Sequence, residues 1–400
     1  MRISKEEIMD AAKKLEPRLI AFRRDLHENP ELSLEETETA AKVAAFLRSI
    51  GLSPKLEVGG HGVIADVVGS TPGPTIALRA DMDALPIMEE TGLPFASNRP
   101  GIMHACGHDA HTAIVLGAAS ILVERKERLA GTVRLLFQGA EEINAGAKAM
   151  IRDGALDGVD EIYGLHNLPT LAVGMAATRK GPLMGSVDRI ELTLEGRGAH
   201  GAIPDQGADP IVAAAAVISG LQTIVSREVS PFSPVVVTIG SIHAGQANNV
   251  IPHRAEMTGT VRAFDPAVRR QLPDRLRRIA VRIAEAHRCE AELRYIEQVP
   301  VLVSEDGCLA HAQRTIDWLL GAERHAEAAP TLAGEDFSVY LESVPGCFFW
   351  LGSGPSDRAE DAYGLHHPKF DIQEEALAVG SAALASIALL RGQSNHSLLL

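Results

Sequence analysis

Cysteine is scarce in this chain, with four residues in 400 at widely spaced positions. So few cysteines cannot form the dense framework of a disulfide-stapled secreted domain, and they predict a reducing, cytoplasmic location. We expect Cys289, Cys308 and Cys347 to pack in the interior rather than take part in chemistry. The charged first ten residues contain no apolar segment and predict no signal peptide.

Basic residues are also fewer than acidic ones. Lys and Arg number 38 against 52 Asp and Glu, which gives a net charge of −14 at pH 7. Nucleic acids and anionic membranes require a basic face on their partner, so we expect neither as a partner. Apolar runs are short, and none is expected to reach the ~18 residues that cross a bilayer.

The remaining composition is that of an ordinary globular protein, with 46% hydrophobic and 22% charged residues. A chain of 400 residues exceeds one typical domain of roughly 100–150 residues, so two domains are expected.

Strands alternate with helices over the first 180 residues, which predicts an α/β domain with a mostly parallel sheet flanked by helices. Three of these strands end at potential ligands: Asp81 with Asp83, Glu141 with Glu142, and His166. Open α/β sheets place their sites at the carboxyl ends of the strands, so we expect these side chains to meet there.

Two helix boundaries carry clear signals near the N-terminus. Ser4 with Glu7 forms a capping box that opens the first helix. Ser33 with Glu36 predicts the start of a second helix, which Gly51 closes as a left-handed cap.

The pattern changes after residue 181. Residues 182–299 alternate in the order β-α-β-β-α-β, which is typical of a compact antiparallel α+β unit. We therefore predict a domain inserted as a lid into a catalytic domain made of residues 1–181 and 300–400.

The densest group of potential metal ligands is MHACGHDAH at residues 103–111. It separates a thiol, Cys106, from an imidazole, His108, by one glycine. Thiolate and imidazole suit zinc, cobalt or nickel better than magnesium or calcium. Either residue alone would more often be a packed core residue than a ligand.

Donors elsewhere in the chain extend this group. The candidates are Cys106, His108, Glu142, His166 and one of His366 and His367. A mononuclear zinc site uses three or four protein ligands, so five candidates indicate two metal ions, with Cys106 as a bridging thiolate.

The neighbouring glutamates Glu141 and Glu142 point in different directions in an extended chain. One can bind metal while the other acts as general base, although an acidic helix start would look the same.

The sequence resembles the metal-dependent N-acyl-amino-acid amidohydrolases, the group of hippurate hydrolase, bacterial aminoacylases and plant auxin-conjugate hydrolases, which are related to carboxypeptidase-G-type dinuclear hydrolases. The resembling motifs occur in family order: LHENPEL at 26–32, RADMDALP at 79–86, HACGHD at 104–109, QGAEE at 138–142, GLH at 164–166 and LHHP at 365–368.

This resemblance implies roles for individual residues. Cys106, His108, Glu142, His166 and His366 match the metal ligands, and His366 matches better than His367 because the family keeps a histidine directly after the leucine. Glu141 matches the general base, and Asp83 matches a carboxylate that orients a ligand.

The predicted lid contains three further matches. His200, in GRGAHG, matches a histidine that stabilises the oxyanion of the reaction, often in the partner subunit. Asn249 and Arg262 match positions near the substrate carboxylate, which Arg262 would bind through two hydrogen bonds. Arg262 could equally be a salt-bridge partner on a strand surface. Four further histidines, His104, His111, His243 and His253, are expected to be structural or solvent-exposed.

The function implied by the resemblance is hydrolysis of N-acyl amino acids such as hippurate or an N-acetyl amino acid, by a metal-bridging water with Glu141 as general base. It implies two divalent ions per subunit (zinc, manganese, cobalt or nickel) and a homodimer or homotetramer formed through the lid. A carboxypeptidase or dipeptidase on the same dinuclear core is the alternative. A non-catalytic metal or thiol sensor is disfavoured because a pure binder does not need Glu141.

Overall fold

The computed structural model describes residues 3–391, which fold into nine α-helices and fifteen β-strands. The helices are α1 (Lys5–Glu28), α2 (Thr37–Ser49), α3 (His108–Glu124), α4 (Gly146–Arg152), α5 (Pro210–Thr223), α6 (Pro266–Ala286), α7 (Asp306–Leu320), α8 (Phe337–Tyr340) and α9 (Glu375–Arg391). The strands are β1 (Val63–Val68), β2 (Thr71–Asp81), β3 (Ala130–Gln138), β4 (Glu161–Ala172), β5 (Ala176–Thr178), β6 (Pro182–Met184), β7 (Val187–Glu195), β8 (Ala199–His200), β9 (Val235–Ala244), β10 (Val250–Ile251), β11 (Arg254–Ala263), β12 (Glu290–Val299), β13 (Leu302–Val303), β14 (His325–Glu327) and β15 (Gly346–Gly354).

The described chain divides into two compact units. The first contains the residues up to Leu183, Val303–Ala329 and the residues from Asp336 onward. The second contains Met184–Leu302 together with the short segment Pro330–Glu335. That the second unit serves as a lid remains a prediction.

The first unit is built on a seven-stranded sheet with the strand order β1-β3-β2-β4-β15-β5-β14. Four neighbouring pairs are parallel and two, β1 with β3 and β15 with β5, are antiparallel. Helices α1, α3 and α9 pack against one another and belong to the same apolar core as the sheet. The predicted α/β class is confirmed.

The second unit contains a four-stranded antiparallel sheet with the order β12-β7-β11-β9. Along the chain its parts follow as β7, α5, β9, β11, α6 and β12, while β8 and β10 form a separate two-stranded ribbon. Alternate residues of β7, such as Leu192 and Leu194, join Val217 and Leu276 of the helices in a second apolar core.

The predicted start of the second helix is wrong. Helix α2 begins at Thr37, and the Ser33 side chain donates its hydrogen bond to Asp83 instead. Glu31, five residues before Glu36, accepts the N–H groups of the first turn. The left-handed cap after this helix is confirmed, since Gly51 has a φ of 86°.

One segment of the second unit is more apolar than expected. Residues Pro210–Glu228, which include α5, are long and apolar enough to cross a membrane by length and composition, with a mean hydropathy of 1.4. The expectation that no segment reaches that limit is wrong by this measure. One side of the segment packs in the second core through Ala213, Val217 and Leu221.

Candidate metal centre

The first candidate ligands lie where the chain enters α3. Gly107 precedes this helix with a φ of 94°, a left-handed conformation that glycine adopts without strain. A Cβ atom at this position would lie 2.1 Å from the side-chain nitrogen of Asn167. The glycine therefore lets the loop turn sharply, with Cys106 before the turn and His108 in the first turn of the helix.

His108 is oriented by a buried carboxylate. Its Nδ1 lies 3.2 Å from Oδ1 of Asp83, two residues after the end of β2. Because Nδ1 is engaged, Nε2 faces the other candidates and lies 3.8 Å from Oε1 of Glu142. Oδ2 of Asp83 accepts the N–H of Glu142 at 3.0 Å, so the same carboxylate positions two candidate ligands.

The two neighbouring glutamates follow a turn after β3. Ala140 takes a left-handed φ of 54°, and its N–H donates to the buried Glu36 carboxylate at 2.7 Å. After this turn Oε1 of Glu141 accepts the N–H of Asp336 at 3.3 Å, whereas Glu142 faces the histidines. The two carboxylates therefore have different surroundings.

His166 does not end its strand as predicted, because β4 continues to Ala172. Its Nδ1 donates to the backbone oxygen of Asn167 at 2.8 Å, which leaves Nε2 directed at Cys106, 3.3 Å from Sγ. The strand pairing with β2 and β15 brings this imidazole to the region of Asp81 and Trp350.

His366 lies on a loop and has a left-handed φ of 64°. Its backbone N–H donates to the carbonyl oxygen of Ala105 at 2.7 Å, which fixes this loop to the segment carrying Cys106. The side chain is 51% exposed, and its Nε2 lies 3.4 Å from Oε1 of Glu142.

All five predicted ligands are thus brought together. Together with the predicted general base Glu141, their donor atoms lie within 4.8 Å of one another in three sets: Cys106, His108 and His166; Cys106, Glu142 and His366; and His108, Glu141 and Glu142. Cys106 belongs to two of these sets. Three of these donor pairs, Cys106 with His166, His366 with Glu142 and His108 with Glu142, lie 3.3, 3.4 and 3.8 Å apart, close to the ~3.5 Å between donors on one tetrahedral zinc ion.

Two unsatisfied atoms support a cation at this position. Nε2 of His108 and Oε1 of Glu142 are both buried, and neither has a hydrogen-bond partner within residues 3–391. Buried polar atoms are normally paired, and a bound cation would supply the missing partner of each. The donor set of one thiol, three imidazoles and carboxylates fits a divalent transition metal.

The electrostatics of the centre point the same way. Burial raises the pKa of the Cys106 thiol well above its usual range, and the charge of Glu142 raises it further. Burial and the neighbouring His111 hold the pKa of His166 well below its usual range, so this imidazole is neutral and available as a ligand. A divalent cation would act against both effects on Cys106 and favour its thiolate form.

Asp81, His111 and Asn167 form a buried chain beside the centre. The sequence named Asp81 only as a potential ligand and assigned no role to Asn167. Nδ1 of His111 donates to Asp81 at 2.7 Å, and Nε2 accepts the N–H of Asn167 at 3.0 Å. The Asn167 amide then donates to the carbonyl of Cys106 at 2.6 Å. His111 was expected to be structural or exposed, and it is buried; its position one turn after His108 was the available signal.

The predicted residues of the second unit form two separate groups. His200 and Asn249 are exposed and adjacent, since Gly201 donates its N–H to the carbonyl of Asn249 at 2.7 Å. Arg262 lies on β11, and no carboxylate of the described chain comes within salt-bridge distance of it. Burial lowers the pKa of Arg262, an effect that Asp188 opposes.

Together, the sheet and the donor sets define a metal centre of the type found in dinuclear hydrolases. The model of Peptidase family M20/M25/M40 matches residues 77–390, and the chain belongs to this family.

Three similar proteins extend the comparison. An N-acetylcysteine deacetylase of Bacillus subtilis is 46% identical over 95% of this chain and 98% of its own length. IAA-amino acid hydrolase ILR1-like 4 of Arabidopsis thaliana is 40% identical over 92% of this chain and 84% of its own. The crystal structure of the Bacillus subtilis YXEP protein, a dinuclear metal-binding peptidase of the M20 family, has a TM-score of 0.84 and 41% identity, covering 95% of this chain and 99% of that one. The resemblance found in the sequence is confirmed.

Proposed function

We propose that this protein hydrolyses the amide bond of N-acyl amino acids with the help of two divalent metal ions. The observation that carries the proposal is the position of Glu141, a carboxylate directly beside five converging metal donors. The deacetylase and the amino-acid conjugate hydrolase among the relatives both act on an acylated amino acid, by their names.

The ions would be held by Cys106, His108, Glu142, His166 and His366, with Cys106 shared between them. Bound metal supplies Lewis-acid polarisation of the carbonyl and lowers the pKa of the attacking water. We keep zinc, manganese, cobalt and nickel as candidates, because the thiolate and imidazoles suit zinc, cobalt and nickel and the carboxylates suit manganese.

Glu141 would act as the general base. Its carboxylate takes a proton from the attacking water and delivers it to the leaving amine, a role that requires hydrogen-bond reach to the reacting atoms. Asp83 keeps the His108 ring in the orientation that leaves Nε2 available.

Residues of the second unit would bind the substrate. Arg262 is a half-buried guanidinium with no carboxylate partner in the described chain, so a substrate carboxylate would supply its missing bidentate partner. His200, on β8, would stabilise the developing oxyanion, and Asn249, directly before β10, would contact the substrate.

The alternative is a peptidase on the same centre, which is favoured by the peptidase of known structure with 41% identity. The two activities differ on the acyl side of the scissile bond: a peptidase takes an aminoacyl group there, whereas the proposed activity takes a simple acyl group. The deacetylase relative, with the higher identity, favours the acyl amino acid.

The test is a substrate panel on protein reconstituted with zinc, manganese, cobalt or nickel. N-acetylcysteine, N-acetylmethionine and hippurate are compared with the dipeptide Gly-Leu. We expect the best N-acyl amino acid to exceed Gly-Leu at least tenfold in kcat/KM and to lose its turnover on chelation. A faster peptide, or no turnover of any N-acyl amino acid with two metals bound, would contradict the proposal.

We also propose a homodimer formed through the second unit. Strand β9 is an edge strand of its sheet in the described chain. It exposes Val236 and Ile242, and the neighbouring α5 exposes Ile211 and Val212. An unpaired strand edge beside an apolar surface is typical of a protein interface. Val212→Glu and Ile242→Lys should shift wild-type dimers to monomers in sedimentation velocity; a monomeric wild type would contradict this.

The four cysteines of the chain are free thiols in the structure. This agrees with the cytoplasmic location that we propose from their number and spacing.

A further inference from the structure

The turn Ser33–Glu36, between α1 and α2, contributes no ligand but contacts residues next to the candidate ligands. Leu34 has a left-handed φ of 70° in this turn. The Ser33 side chain forms a hydrogen bond to Asp83, and the Glu36 side chain forms one to Ala140. The backbone just before the turn is held as well, because Ala84 donates its N–H to the carbonyl of Glu31 at 2.7 Å.

Glu36 holds the turn that precedes the two glutamates. It is 1% exposed, and its Oε1 accepts the N–H of Ala140 at 2.7 Å. Ala140 is in a left-handed conformation, which an alanine adopts only when its surroundings impose it. A Cβ on Gly139 would lie 2.8 Å from the Glu36 carboxylate, so the contact is also closely packed.

Ser33 acts on the other side of Glu141. Its hydroxyl donates to Oδ2 of Asp83 at 2.7 Å, and the same oxygen accepts the N–H of Glu142 at 3.0 Å. The N–H groups on both sides of Glu141 are therefore held by carboxylates, one belonging to Glu36 and the other oriented by Ser33.

We infer that Ser33 and Glu36 are positioning residues that decide which of the two adjacent carboxylates joins the metal donors and which is left as general base. Exchanging the directions of two neighbouring side chains requires a one-residue shift of the backbone that carries them, which would also displace their N–H groups. Fixing the N–H groups of residues 140 and 142 prevents that shift, so Glu142 stays among the histidines. This inference rests on the proposed function.

A role in starting α2 does not explain these contacts. Glu36 occupies the N-cap position of α2 but makes no side-chain capping bond. The amides of the first turn are taken by Glu31, a second buried carboxylate of the same segment. Glu31 is therefore a matched control: it is equally buried, but it contacts the helix and not the glutamates.

The experiment compares Glu36→Ala, Glu36→Gln, Ser33→Ala and Glu31→Ala with wild type. The readouts are the thermal midpoint, the metal content after gel filtration, the absorption spectrum of the cobalt(II) form, and kcat and KM on the best N-acyl amino acid. For Glu36→Ala we expect at least a 30-fold lower kcat, KM within threefold and an altered cobalt spectrum, because the Glu142 donor moves.

The conservative variant should rescue the function, since the amide oxygen of Glu36→Gln still accepts the Ala140 N–H; we expect kcat within about fivefold of wild type. Glu31→Ala should lower the thermal midpoint but keep kcat within threefold and the cobalt spectrum unchanged. A merely structural role for Glu36 would give the pattern of Glu31→Ala instead.

A kcat within threefold of wild type with an unaltered cobalt spectrum in Glu36→Ala would overturn the inference. If that variant does not fold, Ser33→Ala serves as the test, because it removes only one hydroxyl group. A five- to tenfold lower kcat in Ser33→Ala supports the inference, and an unchanged kcat overturns it. If the wild type hydrolyses no substrate, the proposed function fails, and the cobalt spectra alone judge the positioning role.

Discussion

Nδ1 of His108 lies 3.2 Å from Oδ1 of Asp83, and this contact selects the ring nitrogen that faces the other donors. Carboxylates that orient a ligating histidine raise its affinity for the metal, and removing one typically costs 10–100-fold in metal binding. Asp83 also accepts the N–H of Glu142, so its loss disturbs two candidate ligands at once.

Asp83→Ala should therefore weaken metal binding by about 10–100-fold, measured by competition with a chromogenic chelator. Asp66→Ala is the control, because the Asp66 carboxylate is paired with Arg134 and lies on β1, an edge strand of the same sheet. Equal affinities for the Asp83 variant and wild type would mean that His108 does not need this partner.

Glu141→Gln should abolish most turnover while keeping the metals. A general base contributes about 10²–10⁴-fold, and glutamine cannot take the proton although its oxygen can still accept the N–H of Asp336. The measurements are kcat and the metal content of the purified variant, with the exposed Glu124→Gln as control. A variant with full rate would remove Glu141 from the mechanism.

Gly107→Ala should destabilise the protein more than the left-handed conformation of the glycine alone would explain. Gly51 and Gly107 have similar φ angles, 86° and 94°, but a Cβ on Gly51 meets nothing within 4 Å, whereas on Gly107 it meets Asn167. We expect the free energy of unfolding to fall by about 1 kcal/mol in Gly51→Ala, from the left-handed conformation alone. In Gly107→Ala it should fall by at least ~2 kcal/mol, with weaker metal binding.

Urea unfolding of the two variants, with and without metal, provides the measurement. The comparison isolates the contact with Asn167, because the backbone penalty is common to both. Equal losses of stability would show that Asn167 moves aside without cost.

Acid should weaken the fold through Glu89. Burial opposes its ionisation, but hydrogen bonds from His27, Thr91 and the N–H of Ser97 outweigh burial and lower its pKa to about 2. A carboxyl group with a depressed pKa in the folded state stabilises the fold above its unfolded pKa of about 4.5, and this contribution is lost as the pH falls toward 2.

Between pH 6 and pH 3, wild type should therefore lose about 1–2 kcal/mol more stability than Glu89→Gln, after allowance for solvent screening. Denaturant unfolding of both proteins at the two pH values measures the difference. Parallel losses in the two proteins would show that Glu89 has an ordinary pKa in the folded state.

Much of the site could be read from the chain because its donors are chemically unusual. Cys106, His108 and the Glu141–Glu142 pair stand out by residue type and by their places near strand ends, and the structure gathers them with His166 and His366. The α/β class followed from the alternation of strands and helices, a property that each segment expresses locally.

Other features depended on partners far away in sequence. Ser33 and Glu36 looked like a helix start, because serine followed three residues later by glutamate has the same local pattern as a capping box. Their real partners, Asp83 and Ala140, are 50 and 104 residues away, and no local rule reports them.

The sequence by itself determined the kinds of donor, the class of the fold and the family, because these depend on residue type, local periodicity and motif order. Only the tertiary structure decided which ring nitrogen of His108 is available, that His111 is a buried link to Asn167, and that Glu142 rather than Glu141 faces His366. Those choices depend on hydrogen bonds between segments that meet only when the sheet assembles, and a buried polar atom is directed by whichever partner the fold brings to it.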